Sequence, residues 1–168
     1  MLSPKMQEAL NDQINAEIYS AYLYLSMSAA ASHAGLPGTA NWLNIQTREE
    51  MSHAEKFYAY IESVGARVVL DAIERPPTDF GSPEAIYAEV LKHEQKVTAL
   101  INDLVNLARE EKDHATEIFL QWFVTEQVEE EENVSNILAQ IKLAGATGGG
   151  LFMIDRELGQ RVFTPPSA

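Results

Sequence analysis

Cysteine is absent from the chain. That excludes disulfides and every thiolate metal site, and it fits a reducing compartment. Positive charge is scarce: 12 Lys and Arg stand against 25 Asp and Glu, a net charge of −13. Such a balance argues against nucleic-acid phosphates as partners and favours cations. No apolar run approaches the ~18 residues that a membrane span needs. The opening "MLSPKMQEAL" lacks a basic stretch followed by an apolar core, so no secretory signal is expected and the cytoplasm is the expected location. Alternating strand patterns and internal repeats are missing too.

What is present is helical periodicity. With 46% hydrophobic residues, the 168-residue chain can bury the core of one domain. A first segment, about Ser3 to Ser32, carries the stripe Leu10, Ile14, Glu17, Ala21, Tyr24, Ser28 and Ala31. A second, about Thr39 to Val64, carries Leu43, Glu50, Ala54, Phe57, Ile61 and Val64. The third opens at "SPEAIY", with Ser82 placed to cap and Pro83 at the first helical position. Its stripe is Ile86, Val90, Glu94, Val97, Ile101, Leu104 and Ala108. The fourth starts near Asp113 and bears Leu120, Phe123, Gln127, Glu130, Val134, Ile137 and Ile141, with "AGATGGG" as its terminator. A short fifth helix is expected over about 151–158, followed by a tail over 159–168.

These elements predict a single all-α domain over 1–168, with a four-helix bundle over about 3–144. Short turns make antiparallel hairpins of the first pair and of the second pair. The middle connection, "ARVVLDAIERPPTDFGS", is longer than an ordinary loop. Its length, roughly 50 Å when extended, lets it cross the bundle from end to end and leaves the second and third helices parallel.

Each apolar stripe is interrupted near its middle: by Glu17, by Glu50 with His53 beside it, by Glu94, and by Gln127 with Glu130. A lone acid in a stripe is ordinarily a surface residue slightly out of phase, and a lone histidine a satisfied core residue. Interruptions at one depth in four helices argue otherwise. Four facing carboxylates, each costing several kcal/mol to bury alone, need counter-charge. No Lys or Arg occupies the same slots, and two divalent cations would balance the four. Glu50 and His53, at i and i+3, can grip one ion. Oxygen-rich ligation with one imidazole suits iron or manganese better than structural zinc.

These residues resemble those of a known family. Glu17, "REEMSHAEKF", "KHEQ", "LQWFVTEQVEEE" and "GGGLFMIDREL" together are similar to bacterial non-haem ferritins, within the ferritin-like di-iron bundles whose layout is already known. The similarity spans nearly the whole chain. It implies a ferritin-like bundle with a long crossover and a short fifth helix. It also implies oxidation of Fe(II) by dioxygen or hydrogen peroxide, and storage of a ferric mineral in a homo-oligomeric shell of about 24 subunits. By the same resemblance, Glu17, Glu50 and His53 hold a first iron, and Glu50, Glu94 and Glu130 a second, with Gln127 nearby. Tyr24 hydrogen-bonds beside the ligands and Trp122 lies next to the centre.

The generic pattern has two Glu-x-x-His pairs, whereas this chain has Gln127-x-x-Glu130 in place of the second, so its two positions should be unequal. Glu49, Glu126 and Glu129 are each offset by one residue, roughly 100°, from a stripe position. The resemblance assigns them to a third iron position on the inner side. Glu131 and Glu132 read as solvated acids. Glu117 could line a threefold channel. Met51 occupies the position of the haem ligand in bacterioferritins, but core or interface packing is the favoured reading and haem is not expected. The alternatives are a haem-binding bacterioferritin, a di-iron oxidase without a cage, and a metal-free helical interaction module.

Overall fold

The computed structural model describes residues 2–145 and 148–165. Its order is α1 (Pro4–His33), α2 (Pro37–Ser63), α3 (Pro83–Glu111), α4 (His114–Ala144) and α5 (Gly148–Leu158). Among the described residues there is no strand, and no helix is long and apolar enough to cross a membrane.

Local chemistry sets the helix ends. Ser3 and Ser82 accept from the amides of Met6 and Ala85, with Pro4 and Pro83 just inside. Asp113 caps α4 through Thr116 N at 3.1 Å. The turn before it is short because Lys112 adopts φ 58, a left-handed conformation more often given to glycine. The start of α2 has no cap from its own N-cap residue, Leu36. Asp155 of α5 supplies it, accepting from Gly38 N at 2.9 Å, Thr39 N at 2.7 Å and Thr39 Oγ1 at 2.9 Å. Gly38 is needed here: a Cβ would lie 1.6 Å from the Asp155 carbonyl oxygen.

α1 packs on α2, and α3 on α4. Ser3, at the start of α1, donates to Glu111 at the end of α3, so these two helices are antiparallel and α2 and α3 run parallel. The crossover is laid along α1. Val69 N donates to Asn11, Asn15 donates to Ala72 O, and Ser26 donates to Pro77 O, in ascending order. The expected topology is therefore present.

Two apolar clusters fill the bundle. One gathers Met6, Leu10, Ile14, Phe57, Ile61, Ile101, Leu120 and Phe123. The other gathers Tyr24, Met27, Trp42, Leu43, Ile86, Tyr87, Val134 and Leu138. The polar interruptions lie between them.

One boundary and one core position differ from expectation. The fifth helix begins at Gly148 instead of Leu151, because the glycines continue the helix; a Cβ on Gly150 would meet Ala144 Cβ at 2.8 Å. Part of the expected terminator, residues 146–147, and the end of the tail, 166–168, lie outside the described residues. In α4 the buried position is Leu138, with Ile137 only half-buried.

Candidate metal centre

Glu17, Glu50, His53, Glu94, Gln127 and Glu130 are all buried, each 4% exposed or less. They form one polar layer across the four helices. The ligand atoms of Glu17, Glu50 and His53 lie within 4.8 Å of one another, the one such grouping of three among the described residues. His53 Nδ1 is 3.6 Å from Glu50 Oε2 and 3.9 Å from Glu17 Oε2. Glu17 Oε2 and His53 Nε2 are buried without any hydrogen-bond partner. Glu17 Oε1 accepts from Gln13 Nε2 at 2.7 Å.

The other end of the layer is differently furnished. Tyr24 Oη donates to Glu94 Oε1. Gln127 Nε2 donates to Glu94 Oε2 at 3.2 Å and contacts Thr98 Oγ1 at 3.3 Å. Gln46 Nε2 donates to Glu130 Oε2 at 2.9 Å. Tyr24 thus lies where it can touch the acids, and Trp122 stands edge-on to His53 with ring centroids 5.4 Å apart.

Burial dominates the protonation of this layer. It raises Glu17, and it pushes Glu50 and Glu130 well above the usual carboxylate range, with Glu94 and the other acids adding repulsion. Glu94 is pushed up to about 7, chiefly by burial and against the hydrogen bonds from Tyr24 and Gln127. Burial, with Lys56 nearby, lowers His53 to about 4, which keeps the imidazole neutral and able to donate a lone pair. The contact between Glu50 and Glu17 works in opposite directions on the two, lowering Glu17 and raising Glu50.

The three flanking acids are neighbours without forming a tight ligand set: burial raises the Glu126 carboxyl, and repulsion from Glu129 and Glu49 adds to it. Glu49 Oε2 accepts from Arg161 Nη2 at 2.6 Å. Glu126 Oε1 is 4.0 Å from His53 Nε2, and Glu129 is exposed. Glu131 is half-buried and accepts from Thr98 Oγ1 at 2.6 Å, so it is not the free solvated acid expected. Glu117 accepts from Arg109 Nε at 2.7 Å, which holds its carboxyl below the usual range. Met51 is 39% exposed, which removes the core half of its expected role.

Comparison with known proteins decides the family. The Ferritin model, a ferritin-like domain, matches residues 7–144. The chain belongs to the ferritin family. Iron is therefore the metal this ferritin handles. It is 45% identical over 161 residues to a bacterial non-heme ferritin of Bacteroides fragilis, covering 96% of this chain and 100% of that one. It is 43% identical over 159 residues to a probable bacterial non-heme ferritin-like protein of Haemophilus influenzae, covering 95% and 96%. Its fold matches an engineered closed form of the Archaeoglobus fulgidus ferritin with a TM-score of 0.96, at 48% identity over 98% of this chain and 100% of that one.

Sequence reasoning missed Gln13, Gln46 and Arg161. The two glutamines each lie four residues before a stripe acid, one helical turn away. That spacing was a usable signal for Gln13, whose partner is Glu17 on the same helix. Gln46 reaches across to α4, and Arg161 returns from beyond α5, so neither contact has a local signature.

Proposed function

We propose that this ferritin stores iron by oxidising it at a two-iron centre in the polar layer and depositing the ferric product inside a shell of about 24 subunits. The observation that carries the reading is four buried carboxylates and a neutral imidazole at one level, with Glu17 Oε2 lacking any hydrogen-bond partner and His53 Nδ1 turned toward Glu17 and Glu50. Unpartnered buried polar atoms are costly, and a divalent cation satisfies them while replacing the protons.

In this reading Glu17, Glu50 and His53 hold the first Fe(II), and Glu50, Glu94 and Glu130 the second. Glu50 is shared because it stands between the two groups. Gln127 and Tyr24 hold Glu94 in position. Two Fe(II) each give up one electron; dioxygen takes both with two protons and leaves as hydrogen peroxide, or peroxide takes them and leaves as water. The carboxylates suit the oxidised ions better than the reduced ones, since hard oxygen donors favour the higher charge. Glu49, Glu126 and Glu129 serve a weaker third position on the inner side, through which iron passes to the mineral. Helix α5 packs around the fourfold axes of the shell, and Met51 belongs to a subunit interface. The named relatives are called non-heme, in keeping with a chain that needs no haem.

Mixing the protein with Fe(II) in air tests the proposal. Rapid oxidation and a soluble ferric core are expected; oxidation no faster than in protein-free buffer would overturn it.

A further inference from the structure

Arg161 is joined to the acidic layer by a chain of hydrogen bonds. It lies in the tail, three residues beyond α5, and its side chain is 23% exposed. Asn41 Nδ2 donates to the backbone oxygens of Leu158 and Arg161, which fastens this part of the tail against α2. The guanidinium lies 4.7 Å from the centre of the Trp42 ring. One arm, Nη2, donates to Glu49 Oε2 at 2.6 Å. The other, Nη1, donates to Gln46 Oε1, and Gln46 Nε2 in turn donates to Glu130 Oε2 at 2.9 Å. A single planar fork therefore spans Glu49 and, through one buried glutamine, Glu130.

We propose that Arg161 is a resident counter-cation that occupies Glu49 until a metal ion displaces it, so that the tail governs how readily the weak inner position fills. Its role rests on the reading of the acidic layer given above. Three features support it. The fork is flat and bidentate, which a lysine could not reproduce. Its partners are one acid assigned to the inner position and one glutamine that orients an acid of the two-iron centre. The tail is held by a few hydrogen bonds and two cation–ring contacts, Arg161 on Trp42 and Arg48 on Phe163, so its release costs far less than opening a helix. Arg161 and a metal ion cannot both use Glu49 Oε2 as their partner without bringing two positive charges together. Displacing the guanidinium also frees Gln46 Oε1, which links filling of the inner position to the setting of Glu130.

A merely structural arginine and a competing one predict opposite signs. If Arg161 only props Glu49 in place, removing it loosens the inner position and weakens binding. If it competes, removal tightens binding. Zn(II), which has no redox chemistry, is the probe, and calorimetric isotherms on the assembled full-length protein are the readout. R161Q is expected to tighten the weak phase by about tenfold, the scale of one partly buried charge pair, and to leave the number of tight ions per subunit unchanged. R161K, which keeps the charge and the packing stem but holds only one partner, should fall between R161Q and wild type. In an E49Q background the R161Q substitution should have little further effect. An unchanged or weakened weak phase in both Arg161 variants, with the tight phase present, would overturn the role of Arg161 alone. A wild-type isotherm no different from that of a Glu50→Ala, His53→Ala double variant would overturn the reading of the acidic layer itself, and this inference with it.

Discussion

The two ends of the polar layer share buried carboxylates but differ in their third residue, His53 at one and Gln127 at the other, and their hydrogen bonding differs accordingly. At the Glu17–Glu50–His53 end, Glu17 Oε2 and His53 Nε2 have no partner. At the Glu94–Gln127–Glu130 end, protein donors are already in place: Tyr24 and Gln127 on Glu94, and Gln46 on Glu130. At the first end a cation would meet no competing protein donor on Glu17 Oε2. The second is held in shape before any cation arrives, and a cation there must share its carboxylates with amide and phenol donors. This difference teaches why replacing the second Glu-x-x-His pair matters. A neutral Gln127 contributes donors where a histidine would contribute a lone pair, so the first position should fill before the second.

The largest effect expected is at the unpartnered end. Glu50→Ala or His53→Ala should slow Fe(II) oxidation by more than the ~10–100-fold typical of residues that only orient ligands, with the shell still assembled by light scattering. Wild-type rates in both variants would erase the contrast between the ends. A smaller loss is expected at the furnished end. Gln46→Ala or Gln127→Leu should weaken the second cation by about tenfold and the first much less, read by anaerobic titration. Equal weakening of both would mean that the two ends behave as one unit.

The polar layer was legible because its acids fall in stripe positions. Periodicity alone put Glu17, Glu50, Glu94 and Glu130 on inward faces, and all four are buried. The crossover was legible from its length. What remained hidden depends on contacts across the fold. Asp155 looks like an ordinary helical acid until α5 is set against the amide groups of Gly38 and Thr39. Gly148–Gly150 reads as a terminator because glycine disfavours helices, yet it opens α5, and Gly150 allows close packing against Ala144 of α4. Arg161 sits in a stretch with no periodicity at all.

A pH series sharpens the contrast further. Glu94 in the folded, metal-free protein keeps its proton up to about 7, whereas in the unfolded chain it loses it near the ordinary 4.5. Between those values the folded state binds more protons, so Glu94 contributes less stability as pH rises. Glu17, Glu50 and Glu130 shift in the same direction. His53, lowered to about 4 from 6.5, acts oppositely, adding stability as pH rises between those values. Above pH 6.5 only the acids remain, and metal-free stability should fall from pH 6.5 to 8. Saturating Zn(II) should abolish that fall; a flat metal-free profile would contradict the protonated layer.

The smallest effect lies away from the centre. Asp155→Ala should lower stability by ~1–2 kcal/mol through loss of the cap on α2, measured by denaturant unfolding, and leave the stoichiometry of tight cations unchanged. An altered stoichiometry would tie α5 to the polar layer more closely than Asp155 alone suggests.

Anomalous diffraction from crystals soaked anaerobically in Fe(II) tests the central claim most directly. Two iron positions per subunit are expected inside the polar layer, one among Glu17, Glu50 and His53 and one among Glu50, Glu94 and Glu130, with higher occupancy at the first when iron is limiting. Iron bound only outside the layer, or a layer that stays free of metal at saturating Fe(II), would contradict the account.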